Sequence, residues 1–199
     1  MENYVVTISR QFGSLGRSIA AKLSELLEVE FYDRDIVEAT ANRLGQPVSV
    51  ISREEENAGG LFFPRQYPLG MGLLSMQQEI FQVQENIIKD LTAKESCIIV
   101  GRCGNYILKD HPNSLHIYIY APYEKRIQNC IDTLRMDLKT ARRYIKEVDR
   151  ARENYRKRYG GQQDSLLDGY DLLIDSSRFG VEGTAEMLAE LVRKRIAVK

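Results

Sequence analysis

The stretch SRQFGSLGRS at residues 9–18 has the residue types of a phosphate-binding loop. It follows the apolar run YVVTI and precedes SIAAKLSELL, in which the spacing of apolar residues is helical. In such a loop the main-chain N–H groups surround phosphate oxygens, and the dipole of the following helix adds to the attraction. Gly13 and Gly16 can provide the turn and the close approach that a phosphate requires. Arg17 can provide a positive charge, and Ser18 a hydroxyl for Mg²⁺.

The loop departs at two positions from the pattern GxxxxGK[ST]. Gln11 stands at the first glycine position, and Arg17 replaces the lysine. Arginine binds phosphate through a planar fork, but it is bulkier than lysine and is not a neutral exchange. The loop sequence by itself leaves two interpretations open, an altered phosphate cradle and a tight turn that starts a helix.

Two further segments place charged side chains where predicted strands end. In VGRCG, Gly101 and Arg102 directly follow an apolar run, and in YDRD, Asp33 follows another. Open parallel sheets bind ligands at the carboxyl ends of their strands. We therefore expect Asp33 and Arg102 to face the same crevice as the loop. Structural alternatives remain open: Arg102 can cap a helix or pair with Asp33, and Asp33 with Asp35 can form the acidic first turn of a helix.

The stretch from residue 135 to residue 158, most of which is predicted to be helical, is rich in arginine, although the protein as a whole is neutral. A basic helix either has an anionic partner or presents a solvated face, and the sequence leaves both open. Tyr155 and Tyr159 lie in or next to this stretch and can stack on a base or cover an apolar surface. Tyr118 and Tyr120 flank a predicted core strand, and we give them no ligand role.

The remaining pattern predicts an α/β fold with about five parallel strands that alternate with helices, as in a doubly wound sheet. The predicted strands span residues 3–8, 29–33, 97–101, 115–121 and 170–177. The predicted helices span residues 17–27, 34–45, 75–95, a stretch that starts at Pro122, 138–158 and 181–198.

Regularity fails between residues 46 and 74, where glycine and proline punctuate a segment that is locally apolar at LFF. A disordered linker is rarely this hydrophobic. We prefer a flexible flap that closes on a ligand over a structural insertion.

Composition is that of a soluble globular protein, with 43% hydrophobic and 28% charged residues. The 199 residues suit one domain, and the formal net charge of zero gives no general attraction to nucleic acid or membrane. Cys97, Cys103 and Cys130 are scattered and predict free thiols, and the two histidines lack metal-ligand spacing. We expect a cytoplasmic protein, since no leader and no apolar run of about 18 residues is found.

Taken together, these motifs resemble the cytidylate kinase-like family of P-loop nucleoside monophosphate kinases. The likeness extends over nearly the whole chain, through TISRQFGSLGRSIAAKLSELL, FYDRDI, IIVGRCGNYIL, IYIYAPYEKRI, DRARENYRKRYG and YDLLIDSS. It implies a single three-layer domain of the P-loop NTPase type over residues 1–199. It also implies transfer of a phosphoryl group from ATP, with Mg²⁺, to a nucleoside monophosphate, with CMP or dCMP as the namesake substrates.

The resemblance further implies roles for individual residues. The implied nucleotide- and phosphate-binding residues are Gly13, Ser14, Gly16, Arg17 and Ser18, with Ser18 also at the Mg²⁺. The implied catalytic residues are Arg17, Asp33, Arg126 and Arg152. Arg102 matches the arginine of a GRD motif that contacts the phosphate of the acceptor, and Asp33 would orient that acceptor or its metal-bound water. Cys103 stands where the motif has aspartate.

In such a kinase the flap at residues 46–74 would lie on the acceptor side, and residues 138–160 would form a helical lid. The implied lid residues are Asp149, Arg150, Arg152 and Tyr155. Both parts would close to exclude water, which competes as an acceptor. The register of the loop stays open: an ungapped alignment puts Gly16 at the lysine position, whereas matching GRS to GKS keeps the charge and misplaces Gly13.

Three functions are compatible with these motifs. The first is an active nucleotide kinase. The second is a nucleotide-binding sensor that has lost the chemistry, for which the missing lysine and the altered GRD motif argue. The third is a kinase for a different small phosphate acceptor, for which the unmatched segment 46–74 argues.

Overall fold

The computed structural model describes residues 3–56, 73–161, 165 and 168–197. Over these residues a parallel sheet has five strands in the order β2-β3-β1-β4-β5. The strands are β1 (Val5–Arg10), β2 (Glu30–Tyr32), β3 (Cys97–Val100), β4 (Ser114–Tyr120) and β5 (Leu172–Asp175). Parallel neighbours need crossover connections, and helices provide them here. The predicted α/β class and its parallel sheet are confirmed.

The helices mostly begin and end within two residues of the predicted limits. They are α1 (Gly16–Leu27), α2 (Arg34–Leu44), α3 (Val48–Glu56), α4 (Leu73–Lys94), α5 (Gly104–Ile107), α6 (Tyr123–Asp132), α7 (Leu138–Tyr159) and α8 (Gly180–Ala197). The short helix α5 was not expected from the sequence. Among the described residues, no helix is both long enough and apolar enough to cross a membrane.

Helix α3 corrects the expectation that regular structure is lost from residue 46 onward. The carbonyl of Pro47 accepts hydrogen bonds from the amides of Val50 and Ile51, which starts the helix. Ile51 is fully buried and belongs to a cluster with residues of α2 and α4. The glycines and prolines that break the pattern come later, so they do not prevent this helix. The rest of the predicted flap, residues 57–72, lies outside the described residues.

Strand residues alternate between the two faces of the sheet, which produces three layers. One face packs against α1 and α8, and the other against α2 and α4. On this second face β1 continues from the apolar Val5 to the polar Thr7 and Ser9, which pair in register with His116 and Tyr118 of β4. Thr7 Oγ1 and His116 Nδ1 share a hydrogen bond of 2.8 Å. The apolar covering of this face therefore gives way to polar side chains toward the carboxyl ends of β1 and β4.

Two leucines of α8 differ in burial and so test this layer directly. Leu188 is fully buried and packs in the core with α1, whereas Leu191 is exposed. We expect Leu188→Ala to lower the free energy of unfolding by about 2–5 kcal/mol, because it removes buried methyl groups and leaves a cavity. Leu191→Ala should change it by less than about 0.5 kcal/mol. Chemical denaturation of both variants measures the difference, and similar losses would contradict the packing of α8.

Candidate active site

The loop between β1 and α1 has the backbone conformation of a tight turn that ends at the N-terminus of a helix. Gly13 has a φ of +77°, Leu15 has a φ of +59°, and α1 begins at Gly16. Arg17 and Ser18 therefore lie in the first helical turn, where both are exposed. Among the described residues none accepts a hydrogen bond from the main-chain N–H of Gly16 or Arg17. The first N–H groups of α1 are thus available to an anion.

Side chains from distant segments hold the loop by its carbonyl oxygens. Four such contacts occur: Arg152 Nη1 to Arg10 O at 3.1 Å, Arg126 Nη1 to Phe12 O at 3.3 Å, Asn129 Nδ2 to Gly13 O at 2.8 Å, and Ser176 Oγ to Ser14 O at 2.8 Å. The hydroxyl of Ser14 is buried and donates to Gln11 O at 2.9 Å, so this side chain braces the loop from within. The donors come from α6, α7 and the end of β5 and fix the carbonyls toward the protein.

Arg126 and Asp149 form a clasp between the loop and helix α7. Asp149 Oδ1 accepts a hydrogen bond of 2.7 Å from the Phe12 amide, and Asp149 Oδ2 pairs with Arg126 Nη1. Arg126 is buried, and its own backbone carbonyl lies beside Gly13. The phosphate role expected for Arg126 stays a prediction, and in this structure its guanidinium is engaged with a carboxylate and a loop carbonyl.

Asp33 forms ion pairs with arginines from three parts of the chain. Its carboxylate pairs with Arg10 Nη2 at 3.3 Å, Arg17 Nε at 3.2 Å and Arg102 Nη1 at 3.3 Å. Its side chain is only 8% exposed. Asp33 and Arg102 thus face one crevice, and they also form the ion pair that the sequence left open as an alternative. Asp33 precedes α2 without a side-chain capping hydrogen bond, so its carboxylate serves the arginines.

Arg10 is the member of this group that sequence reasoning missed. Its side chain passes between two glycines: a Cβ at Gly16 would lie 2.7 Å from Arg10 Cβ, and one at Gly101 would lie 2.4 Å from Arg10 Nη1. The signal in the sequence was therefore the pair of glycines, which make room for a long side chain. Burial, followed by the nearby Arg152, lowers the pKa of Arg10 to about 9, with Arg102 and Arg17 adding to this and Asp33 opposing it.

A cavity of about 1000 Å³ opens beside this group, between the carboxyl ends of β1, β3 and β4 on one side and α7 on the other. Its basic lining residues are Arg10, Arg102, Arg150, Arg152 and Arg156. Its tyrosines are Tyr118, Tyr144, Tyr155 and Tyr170. Burial raises the pKa of Tyr118 to about 12, so this phenol stays protonated. Tyr118, to which the sequence analysis gave no ligand role, thus lies at the cavity.

The predicted lid corresponds to helix α7, which lies over the cavity as one continuous helix. Arg150 and Tyr155 line the cavity, and the hydroxyl of Tyr155 donates to Gln84 Oε1 of α4 at 2.8 Å. Arg158 Nη1 donates to Gln77 Oε1 of the same helix at 2.7 Å. Helix α7 is therefore attached both to the loop and to α4, and its movement as a lid stays a prediction.

The residues at the loop fit a Mg²⁺ ion only in a limited way. Ser18 Oγ is exposed and makes no hydrogen bond with a described residue, so it can act as a ligand. The carboxylate of Asp33 is engaged by arginines. Over the described ranges, no group of three His, Cys, Asp or Glu side chains could hold a metal ion. A single hydroxyl is compatible with Mg²⁺ only because this ion usually keeps several waters and binds through substrate phosphates.

Gly13 and Gly45 allow the tight fit of the loop to be measured, because both have a positive φ but only one is enclosed. A Cβ at Gly13 would lie 2.8 Å from Arg126 O and 3.0 Å from Cys130 Sγ, whereas Gly45 has nothing within 4 Å. Gly45→Ala should lower the free energy of unfolding by about 1–2 kcal/mol, the usual penalty of left-handed backbone. Gly13→Ala should lower it by about a further 1–3 kcal/mol through overpacking. Equal losses in chemical denaturation would show that α6 does not enclose the loop.

Solved structures of known proteins share this architecture over nearly the whole chain. An uncharacterized protein from Eubacterium ventriosum has a TM-score of 0.70 at 23% identity, with 96% of this chain and 99% of that chain covered. The shikimate kinase from Acinetobacter baumannii in complex with shikimate has a TM-score of 0.53 at 14% identity, with 96% and 94% covered. A sugar kinase from Janibacter sp. HTCC2649 has a TM-score of 0.52 at 12% identity, with 98% and 95% covered. At these identities the likeness is one of fold, and it is the fold of P-loop kinases.

By sequence, no curated protein matches the chain. A family model does, and it matches residues 5–178, from the start of β1 to just beyond β5. This range contains the loop, Asp33, Arg102 and all of α7. The chain belongs to the cytidylate kinase-like family.

Proposed function

We propose that this protein is an ATP-dependent kinase that transfers the γ-phosphoryl group to a nucleoside monophosphate, with CMP and dCMP as the first candidates. One observation carries the proposal: guanidinium groups from separate segments meet where the free amides of α1 begin, at the edge of a large cavity. Phosphoryl transfer depends on positioning and on electrostatic stabilisation of the moving group, and this arrangement supplies both.

The loop and the first turn of α1 are assigned to the donor. The amides of Gly16 and Arg17 would bind phosphate oxygens, and the Arg17 side chain, which is 59% exposed, is free to turn from Asp33 toward them. The start of α1 at Gly16 supports the register in which GRS takes the place of GKS. Ser18 would then stand at the position whose hydroxyl helps to hold Mg²⁺. Bound Mg²⁺ would offset negative charge on the phosphates.

The cavity is assigned to the acceptor. Arg102 and Arg152 line it and would bind the acceptor phosphate, while Asp33 holds the guanidinium of Arg102 in place. Tyr155 and Tyr118 offer aromatic surface for the rest of the acceptor. Helix α7 covers the cavity, and its proposed role as a lid, together with the proposed flap at residues 46–74, is to exclude water during transfer.

A second candidate is a kinase for a small phosphate acceptor other than a nucleotide, and Cys103 favours it. Cys103 lines the cavity where ordinary members of the resembled group have aspartate. Burial raises the pKa of this thiol to about 12, so it stays neutral and cannot replace a carboxylate in recognising a base. The sensor alternative stays open as well, and it predicts nucleotide binding without turnover.

A panel assay separates these functions. Purified protein with ATP and Mg²⁺ should release ADP with one acceptor among the nucleoside monophosphates, and a clear preference for CMP or dCMP is expected. Turnover only with non-nucleotide phosphate acceptors would favour the second candidate. If calorimetry shows that the folded protein binds ATP, but no ADP is formed with any acceptor, the sensor function is favoured and the proposed kinase function is overturned.

Arg17→Ala tests the assignment of the donor site. The loss of one charge-assisted phosphate contact, worth about 1.5–3 kcal/mol, should lower kcat/KM for ATP by about 10- to 150-fold. Arg142 is an exposed arginine of α7 outside the cavity lining, so Arg142→Ala serves as the control and should keep wild-type kinetics. If Arg17→Ala has unchanged kinetics too, Arg17 does not contact the donor.

A further inference from the structure

Arg10 is a largely buried cation to which neither the family resemblance nor the sequence motifs assign a role. Its side chain is 12% exposed, against 59% for Arg17, although both pair with Asp33. Gly16 and Gly101 enclose it so closely that a Cβ at either position would overlap it. The guanidinium of Arg10 is therefore fixed in direction before any ligand arrives, and it lines the cavity.

The charge around Arg10 is not balanced. Arg10, Arg17 and Arg102 all pair with Asp33, and Arg152, which donates to the carbonyl oxygen of Arg10, adds a fourth guanidinium. Asp149 offsets part of the excess at Arg152, but its carboxylate is also engaged by Arg126 and the Phe12 amide. The pKa of Arg10 and that of Arg152 are both lowered, first by burial; neighbouring arginines add to this at Arg10 more than at Arg152, where Asp149 and Asp33 oppose it. Such crowding of like charge is relieved when an anion binds.

The hydrogen bonds of Arg10 leave donors for that anion. Nη2 donates to Asp33 Oδ1, and no described residue accepts a hydrogen bond from Nη1 or Nε. Nη1 is the atom that lies against Gly101, at the rim shared with Arg102. A planar guanidinium with free donors on one side matches two oxygens of a phosphate.

We infer that Arg10, together with Arg102 and Arg152, forms a binding site for a phosphate-type oxyanion at the carboxyl ends of β1 and β3. Arg10 is a phosphate ligand that enters from the strand side of the loop and adds to Arg17, which enters from the helix side. The source of the phosphate, either the transferring group of the donor or the phosphate of the acceptor, rests on the proposed kinase function. Anion binding itself does not depend on turnover.

The charge excess selects the class of ligand. A ligand with a single carboxylate adds one negative charge, as Asp33 does, and leaves much of the excess positive charge. A phosphate monoester carries a second negative charge and has three oxygens to share among three guanidinium groups. A buried, fixed cation also loses little conformational entropy on binding. The site therefore favours phosphates over monocarboxylates.

Thermal unfolding with orthophosphate tests the site without any assay of activity. Wild-type protein should unfold at a higher temperature as phosphate is added at constant ionic strength, because a ligand of the native state stabilises it. Arg10→Gln should remove most of this shift and weaken phosphate binding in calorimetry at least tenfold, and Arg142→Gln should keep both. Arg10→Lys preserves the charge without the fork, so it should bind with intermediate affinity, and it is decisive if Arg10→Gln does not fold.

Two binding titrations then identify the source of the phosphate. If Arg10 holds the transferring group, Arg10→Gln weakens the binding of a non-hydrolysable ATP analogue and leaves the binding of CMP unchanged. If Arg10 holds the acceptor phosphate, Arg10→Gln weakens the binding of CMP and leaves the binding of the ATP analogue unchanged. A folded Arg10→Gln or Arg10→Lys variant with wild-type affinity for orthophosphate, the ATP analogue and CMP overturns the inference, as does a wild-type protein that binds none of them. Retained phosphate binding with no kinase turnover overturns the proposed function alone.

Discussion

The carboxylate of Asp33 is the one negative charge on which the arrangement of the site depends. It lies between guanidinium groups from the end of β1, the first turn of α1 and the turn after β3. Without it, these like charges would repel one another at a few ångströms in a region of limited solvent exposure. With it, the donors are held in place in advance, so an entering anion meets groups that need little rearrangement.

The loop keeps its shape by means other than the strict glycine and lysine pattern. Donors from α6, α7 and the end of β5 hold four successive or nearby carbonyl oxygens, and Gly13 fits closely against α6. These contacts join residues more than a hundred positions apart in the chain. The conformation is therefore a property of the whole fold, which explains how a loop with Gln11 and Arg17 at two motif positions still ends at the N-terminus of a helix.

Much of the fold could be predicted because its signals are local. Buried parallel strands appear as short runs of β-branched residues, and amphipathic helices appear through their period. Helix α3 was missed because its buried Ile51 depends on α2 and α4, which no local pattern reveals. The proximity of Asp33 and Arg102 could be predicted, because both follow strands of one parallel sheet, and the carboxyl ends of such strands lie at the same edge. The burial of Arg10 could not be predicted, since it depends on two glycines that are far apart in sequence. The pairing of Arg126 with Asp149 could not be predicted either, since it depends on how α6 and α7 cross.

Helix α7 has a consequence for access to the cavity. It is joined to the loop near Asp149 and Arg152 and to α4 near Tyr155 and Arg158, with the cavity beneath. All four contacts lie in the C-terminal half of α7, so this half must loosen before a molecule can pass beneath it. For the proposed kinase, release of the phosphorylated acceptor from the cavity is then expected to be the slowest event, and solvent viscosity should govern it more than the chemistry of the bond that is broken.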